Sequence, residues 1–188
     1  MKRLVLLCIA VFFSSYCLAD DSNNGENGVL DVHGALVENT CHLSLDSAWQ
    51  DVELGVISHS DLEHAGDVGP GTELSIYLED CPEISSWSTN ITPMTHTVST
   101  LQPSYQATFD AVADEYNSTL VKVVGASGIG LMIKDSLGRK VAISRNSDSV
   151  LLAPGQNRLN YTIQPVRDSG IFSAGNFHSV INFGISYN

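Results

Sequence analysis

Residues 177–188 constrain the fold more than any other stretch of this chain. Phe177, Ile181, Phe183, Ile185 and Tyr187 fall on one parity, and His178, Asn182, Ser186 and Asn188 on the other, where only Val180 is apolar. Successive side chains of an extended backbone point to opposite sides, so alternation with period two marks a strand with one buried face. The pattern reaches the last residue, so no further strand follows in sequence to pair its outer edge. A long, apolar, uncovered edge is a template for pairing with another chain. The expectation is therefore an edge filled by a second chain.

The other end reads as an export signal. Lys2 and Arg3 form a basic start, residues 4–13 an apolar core, and Cys17-Leu18-Ala19 a small-residue cleavage site, so residues 1–19 are expected to be a signal peptide. The apolar run is too short to span a bilayer. Nothing later in the sequence is long and apolar enough to do so, which implies an exported, soluble mature chain of one domain. The formal net charge is −12, and loss of Lys2 and Arg3 makes the remainder more acidic still. Such a surface repels nucleic acid and anionic membranes and excludes them as partners. Cys8 and Cys17 leave with the signal, and Cys41 and Cys81 remain. Two cysteines in an exported chain are expected to pair. The alternative, a redox-active pair, has no Cys-x-x-Cys to support it.

Between the ends lie many short β patterns. Residues 20–28 are polar, acidic and glycine-rich, and alone would be disordered. Leu30, Val32 and Leu36 give a weak strand pattern towards Cys41. Val52, Leu54 and Val56 alternate with Asp51, Glu53 and Gly55. Ser60 and Glu63 are spaced as a capping box for one helical turn ended by Gly66. Leu74, Ile76 and Leu78 form a one-faced strand closed by Cys81-Pro82. Residues 83–106, rich in Ser, Thr and Pro, show no periodicity and are expected to be a long loop, with Trp87 as its anchor. Residues 107–112 and 120–124 are short β candidates. Ile129, Leu131 and Ile133 alternate, and Asp135-Ser136-Leu137-Gly138 then reads as a hairpin turn into a strand over 139–143. Leu159, Tyr161 and Ile163 alternate before the terminal strand. With no long helix and no repeat, the pattern predicts an antiparallel β-sandwich.

These segments also carry a resemblance. Gly175 stands fourteen residues from the end, followed by alternating apolar residues and a penultimate Tyr187. Upstream come Gly34-x6-Cys41, Gln50-x-Val52-x-Leu54-Gly55, Leu78-x-x-Cys81-Pro82, Gly130-Leu131-x-Ile133-x-Asp135-x-x-Gly138 and Ala174-Gly175-x-Phe177. In that order and spacing the chain resembles the pilin subunits of chaperone–usher fimbriae, over most of residues 20–188. The resemblance implies an incomplete immunoglobulin-like sandwich over 37–188, lacking its seventh strand and completed in trans by donor-strand complementation. It implies a Cys41–Cys81 disulfide, and an amino-terminal donor extension over 20–36 in which Gly28, Leu30, Val32 and Gly34 enter a neighbour's groove. It implies a groove edge that includes Gly175, Phe177, Ile181, Phe183, Ile185, Tyr187 and Asn188. The implied partners are a periplasmic chaperone, an outer-membrane usher and other pilin subunits at the cell surface. Residues 20–27 differ from family donor strands in lacking a bulky apolar residue. Ala48-Trp49-Gln50 is similar to minor and base-terminating subunits, so a minor structural subunit is expected; a carbohydrate-binding tip adhesin or a base-terminating pilin is the alternative.

No motif points to an enzyme, a metal or a cofactor. His59 and His64 lie among Asp61, Glu63 and Asp67 without metal-ligand spacing and read as a solvated loop. Residues 125–130 (Gly-Ala-Ser-Gly-Ile-Gly) lead into a strand pattern rather than a helix, which favours a turn over a phosphate-binding loop. Trp87 stacking on a sugar is the alternative to its role as an anchor.

Overall fold

The computed structural model describes residues 31–33, 40–90 and 94–187. The chain divides into two units, Met1–Leu36 and Val37–Asn188, and every element below belongs to the second. Its strands are β1 (His42–Leu43), β2 (Thr72–Cys81), β3 (Ser86–Asn90), β4 (Thr95–Ser99), β5 (Ser104–Asp110), β6 (Val121–Lys122), β7 (Ile129–Asp135), β8 (Val150–Leu151), β9 (Gly155–Arg167) and β10 (Asn182–Tyr187). A single helical turn, α1 (Leu45–Ala48), and a 3-10 turn at His59–Asp61 are the helical elements among the described residues.

One sheet has the order β1-β2-β9-β7-β6 and a second the order β10-β5-β8, while β3 and β4 form a separate ribbon. All pairings are antiparallel. The 13-residue β9 lies between β2 and β7, with Ile76 opposite Leu159 and Ile133 opposite Ile163. The inward residues of the two main sheets, among them Leu74, Ile76, Leu78, Ala107, Phe109, Leu131, Ile133 and Leu159, form one buried core. Each such leucine, isoleucine or phenylalanine side chain contributes roughly 1.5–3 kcal/mol on burial. A second cluster, Leu120, Met132 and Val166, sits apart from it. Met132 and Lys134 share the parity opposite Leu131 and Ile133 on β7, so this cluster belongs to the outer face of the first sheet.

The expected strands around Leu74–Leu78, Ile129–Ile133 and Leu159–Ile163 are present, and the terminal strand is present over Asn182–Tyr187 only, residues 177–181 supplying a single Val124–His178 bridge in place of the strand expected from Phe177. Five further expectations are corrected. Residues 83–106 are not a loop: Trp87 pairs with Val98 and Thr89 with His96 in the β3–β4 ribbon, and β5 begins at Ser104. The alternation was hidden because the inward positions are serines. Ser86 Oγ donates to the Gln102 carbonyl at 2.6 Å, Ser104 Oγ to the Trp87 carbonyl at 2.8 Å, and buried Ser88 to the Ser149 carbonyl. Trp87 is no anchor, since it stands 58% exposed on the outward face of β3.

Residues 51–58 form no strand. Gly55 takes a φ of +68°, which resets the parity, so Ile57 faces the core with Val52 and Leu54 while Val56 is 98% exposed. The predicted helical turn starts two residues earlier than expected. There the Ser58 N–H donates to Asp61 Oδ2 at 3.2 Å, with His59 packed edge-on against Phe172. The turn at Asp135–Gly138 is present, but residues 139–143 supply only a Lys134–Lys140 bridge rather than a strand.

Cys41 and Cys81 form a disulfide with a Cα–Cα distance of 4.1 Å, tying the start of β1 to the end of β2 across a separation of 40 residues. Tyr105 and Tyr161 are hydrogen-bonded to each other in the core, and burial raises both hydroxyl pKa values above the ordinary 10.0. Two outcomes are expected. Replacing both cysteines by serine should cost about 4 kcal/mol in the chain-entropy view of a forty-residue loop, measured by urea denaturation. A pKa raised in the folded state means that folding favours the neutral phenol. The tyrosine contribution is then whole below pH 10 and is lost as pH rises through the folded values. The denaturation midpoint should therefore fall above about pH 10, and less steeply in Tyr161→Phe.

Candidate functional site

The site is the outer edge of β10. On its inner side β10 pairs with β5 along its whole length, Asn182 opposite Asp110 through Tyr187 opposite Tyr105. On its outer side no strand pairs with it among the described residues. An edge strand with one neighbour presents unpaired N–H and C=O groups. Here that edge borders an apolar face. Phe183, Ile185 and Tyr187 are half-buried and pack against the core, while Asn182, Gly184 and Ser186 are exposed.

The β5 register explains how the face is seated. Phe183 lies opposite Phe109, Ile185 opposite the small, fully buried Ala107, and Tyr187 opposite Tyr105. Phe109 meets Tyr161 edge-on, with ring centroids 4.8 Å apart. Burial pushes the Tyr187 hydroxyl above the ordinary tyrosine pKa as well. An aromatic chain thus runs from the exposed edge into the core.

The approach to β10 is fixed by backbone contact. Val124 and His178 exchange two backbone hydrogen bonds of 2.9 and 3.0 Å, and Ser127 and Ser173 a further pair. Between these bridges Gly125 and Gly175 pass each other without room for a side chain. A Cβ on Gly175 would overlap the Gly125 carbonyl oxygen, and a Cβ on Gly125, whose φ is +103°, would overlap the Asn176 carbonyl oxygen. Residues 125–128 are thus a turn that receives the chain before β10, while 129 and 130 already belong to β7, and Gly175 belongs to this clamp. Phe177 and Ile181 follow, half-buried against the core, and Val180 is exposed.

The sequence-predicted residues therefore separate. Phe177, Ile181, Phe183, Ile185 and Tyr187 are brought together on one apolar face. Gly28, Leu30, Gly34 and Asn188 lie outside the described residues; Val32 is exposed. Sequence reasoning missed Tyr105, the partner of Tyr187, because the candidate β segment was begun at 107. The alternation of Tyr105, Ala107 and Phe109 was the available signal.

An immunoglobulin-like β fold whose strand β10 is half-buried on one face and, among the described residues, unpaired on its outer edge defines a class of subunit that joins others. The comparisons place the chain within it. The family model "Fimbrial protein" matches residues 30–188. The chain is 28% identical to "Probable major fimbrial subunit LpfA" of Escherichia coli O157:H7, over 100% of this chain and 97% of the relative. It is 28% identical to the "PRS fimbrial minor pilin protein" of Escherichia coli, over 82% and 74%. The "P pilus rod subunit PapA" shares the fold with a TM-score of 0.62 at 22% identity, covering 80% of this chain and 100% of that one. The chain belongs to the fimbrial protein family, as a pilin subunit of the chaperone–usher class. Its relatives are structural fimbrial subunits, not enzymes.

The clamp yields a test. Gly175→Val forces the Gly125 carbonyl aside and should destabilise the chain by about 1–3 kcal/mol. Gly184, on β10, has open space where a Cβ would stand. Gly184→Ala should therefore change stability by less than about 1 kcal/mol in the same urea titration.

Proposed function

We infer that this pilin is assembled by strand exchange along the outer edge of β10. The observation that carries the reading is the combination of a half-buried apolar face with strand pairing, among the described residues, on one side only. A chaperone strand covers the edge first, after residues 1–19 have directed export to the periplasm. At an outer-membrane usher, the amino-terminal extension of another subunit replaces that strand, and the fibre emerges at the cell surface. The solved "Chaperone-Usher pilus" structure, with a TM-score of 0.63, supports this setting through its shared fold. Ala48-Trp49-Gln50 supports a minor place in the fibre, while the relatives at 28% identity include both a major subunit and a minor pilin.

The same chain supplies its own donor from residues 20–36. Leu30 and Val32 enter the next subunit's groove, Gly28 sits where no Cβ fits, and Gly34 follows on the same parity. Burying the two apolar side chains contributes roughly 3–6 kcal/mol. Ordering the extension opposes this by about 1–2 kcal/mol per residue. Backbone pairing along the edge fixes register. Summed over the extension, the ordering cost exceeds what the two side chains supply, so donation depends on every further contact in the groove.

The test is a displacement assay on the chaperone-bound chain, followed by native mass spectrometry. A peptide of residues 20–36 should release the chaperone, and the same peptide carrying Gly28→Trp should not. Equal release by both peptides would show the register to be wrong. Release by neither would count against donation by this extension.

A further inference from the structure

We propose that the outer face of the β1-β2-β9-β7-β6 sheet, on the sheet that does not contain β10, holds a binding site for a ring-shaped organic acid. The anion would lie between Lys134 and Lys140 and the ring against Tyr116.

A recess of about 370 Å³ opens there, with Val68 and Tyr116 as walls, Leu120 and Met132 beneath, and Lys134 and Lys140 at the rim. The floor is the small apolar cluster of Leu120, Met132 and Val166. The Tyr116 wall is built rather than incidental. Asp114 Oδ1 accepts the Tyr116 and Asn117 N–H groups at 2.9 Å each, and Lys122 pairs with Glu115. The Tyr116 ring lies on Gly170, where a Cβ would stand 2.6 Å from Tyr116 Cε2. Gly170 is held in turn: its N–H donates to Asp168 Oδ1 and its carbonyl accepts from Arg167 Nη2 at 3.0 Å. Tyr116 is 61% exposed, with one side of its ring resting on Gly170 and the rest open to a ligand.

The charges at the recess are sorted. Arg167 is spent inside the protein, on the carbonyls of Gly128 at 2.6 Å and Asp168 at 2.7 Å and beside the Asp168 carboxylate. Lys134 and Lys140 are different. They face each other across an antiparallel bridge, and neither is within 4.0 Å of a carboxylate among the described residues. Like charges directly opposite on a sheet repel. In a chain whose formal net charge is −12, an unpaired lysine pair beside a recess is a local reversal of sign. An anion between them relieves the repulsion and makes two charge-assisted hydrogen bonds. The flat tyrosine wall and apolar floor then favour a ring as the body of that anion.

A carboxylate on a six-membered ring comes from two sources, a sugar acid or an aromatic acid. Isothermal titration of the purified chain with glucuronate and with benzoate separates them, with glucose and benzyl alcohol as neutral counterparts. At least one acid should bind saturably while its neutral counterpart does not. The double variant Lys134→Gln/Lys140→Gln should weaken that binding by about tenfold or more. Tyr116→Ala should weaken it while leaving the lysines in place. Lys140 is exposed in the segment after the turn, so Lys140→Gln alone serves if the double variant fails to fold. Absence of saturable binding by both acids, equal binding of a neutral counterpart, or unchanged affinity in the lysine variants would overturn the proposal.

Discussion

The pairing of β10 with β5 is the interaction on which the rest of this molecule turns. It seats Phe183, Ile185 and Tyr187 over Phe109, Ala107 and Tyr105, and so closes the second sheet over the core. The same strand has no strand partner on its outer edge among the described residues. β10 thus meets two demands with one set of residues. Under the strand-exchange reading proposed above, its face must bury enough apolar surface to hold the strand in place, and its edge must remain available. Small Ala107 opposite Ile185 and the Phe109–Tyr161 ring contact meet the first demand from below.

The rest of the fold braces that arrangement at a distance. The long β9 is shared by β2 and β7, so the first sheet has a centre paired on both sides. The disulfide fixes the end of β2 to the start of β1. The Gly125–Gly175 crossing fixes where the chain enters β10, by contact between backbones rather than by side-chain packing. Such a contact tolerates no side chain, and that is the physical content of a glycine at position 175.

How much of this was legible in the sequence depended on what each element buries. β2, β7, β9 and β10 bury aliphatic and aromatic side chains at alternate positions, and their period is visible in Leu74-Ser75-Ile76, Ile129–Ile133, Leu159–Ile163 and Phe183–Tyr187. The apolar face of the candidate site was legible for the same reason. The β3–β4 ribbon was not, because its inward residues are serines that bond to carbonyls. The parity of residues 51–57 was misread because one backbone torsion at Gly55 shifts it. The β5 half of the site was seen only in part, because Tyr105 follows Pro103-Ser104 and looked like the end of a loop. A hydroxyl that satisfies a buried carbonyl leaves no mark in a hydrophobic pattern.

That mode of attachment has a consequence for how the ribbon can change over generations. Ser86, Ser88 and Ser104 tie it down through hydrogen bonds made on its inner side. The side chains of Trp87 and Val98, opposite each other on the outer side, take no part in those bonds, and the Trp87 carbonyl that accepts from Ser104 belongs to the backbone of any residue placed there. Their identity is therefore uncoupled from the stability of the sandwich. Mutations there are free to drift or to be selected for what the surface meets, while the three inner hydroxyls keep the scaffold beneath them unchanged.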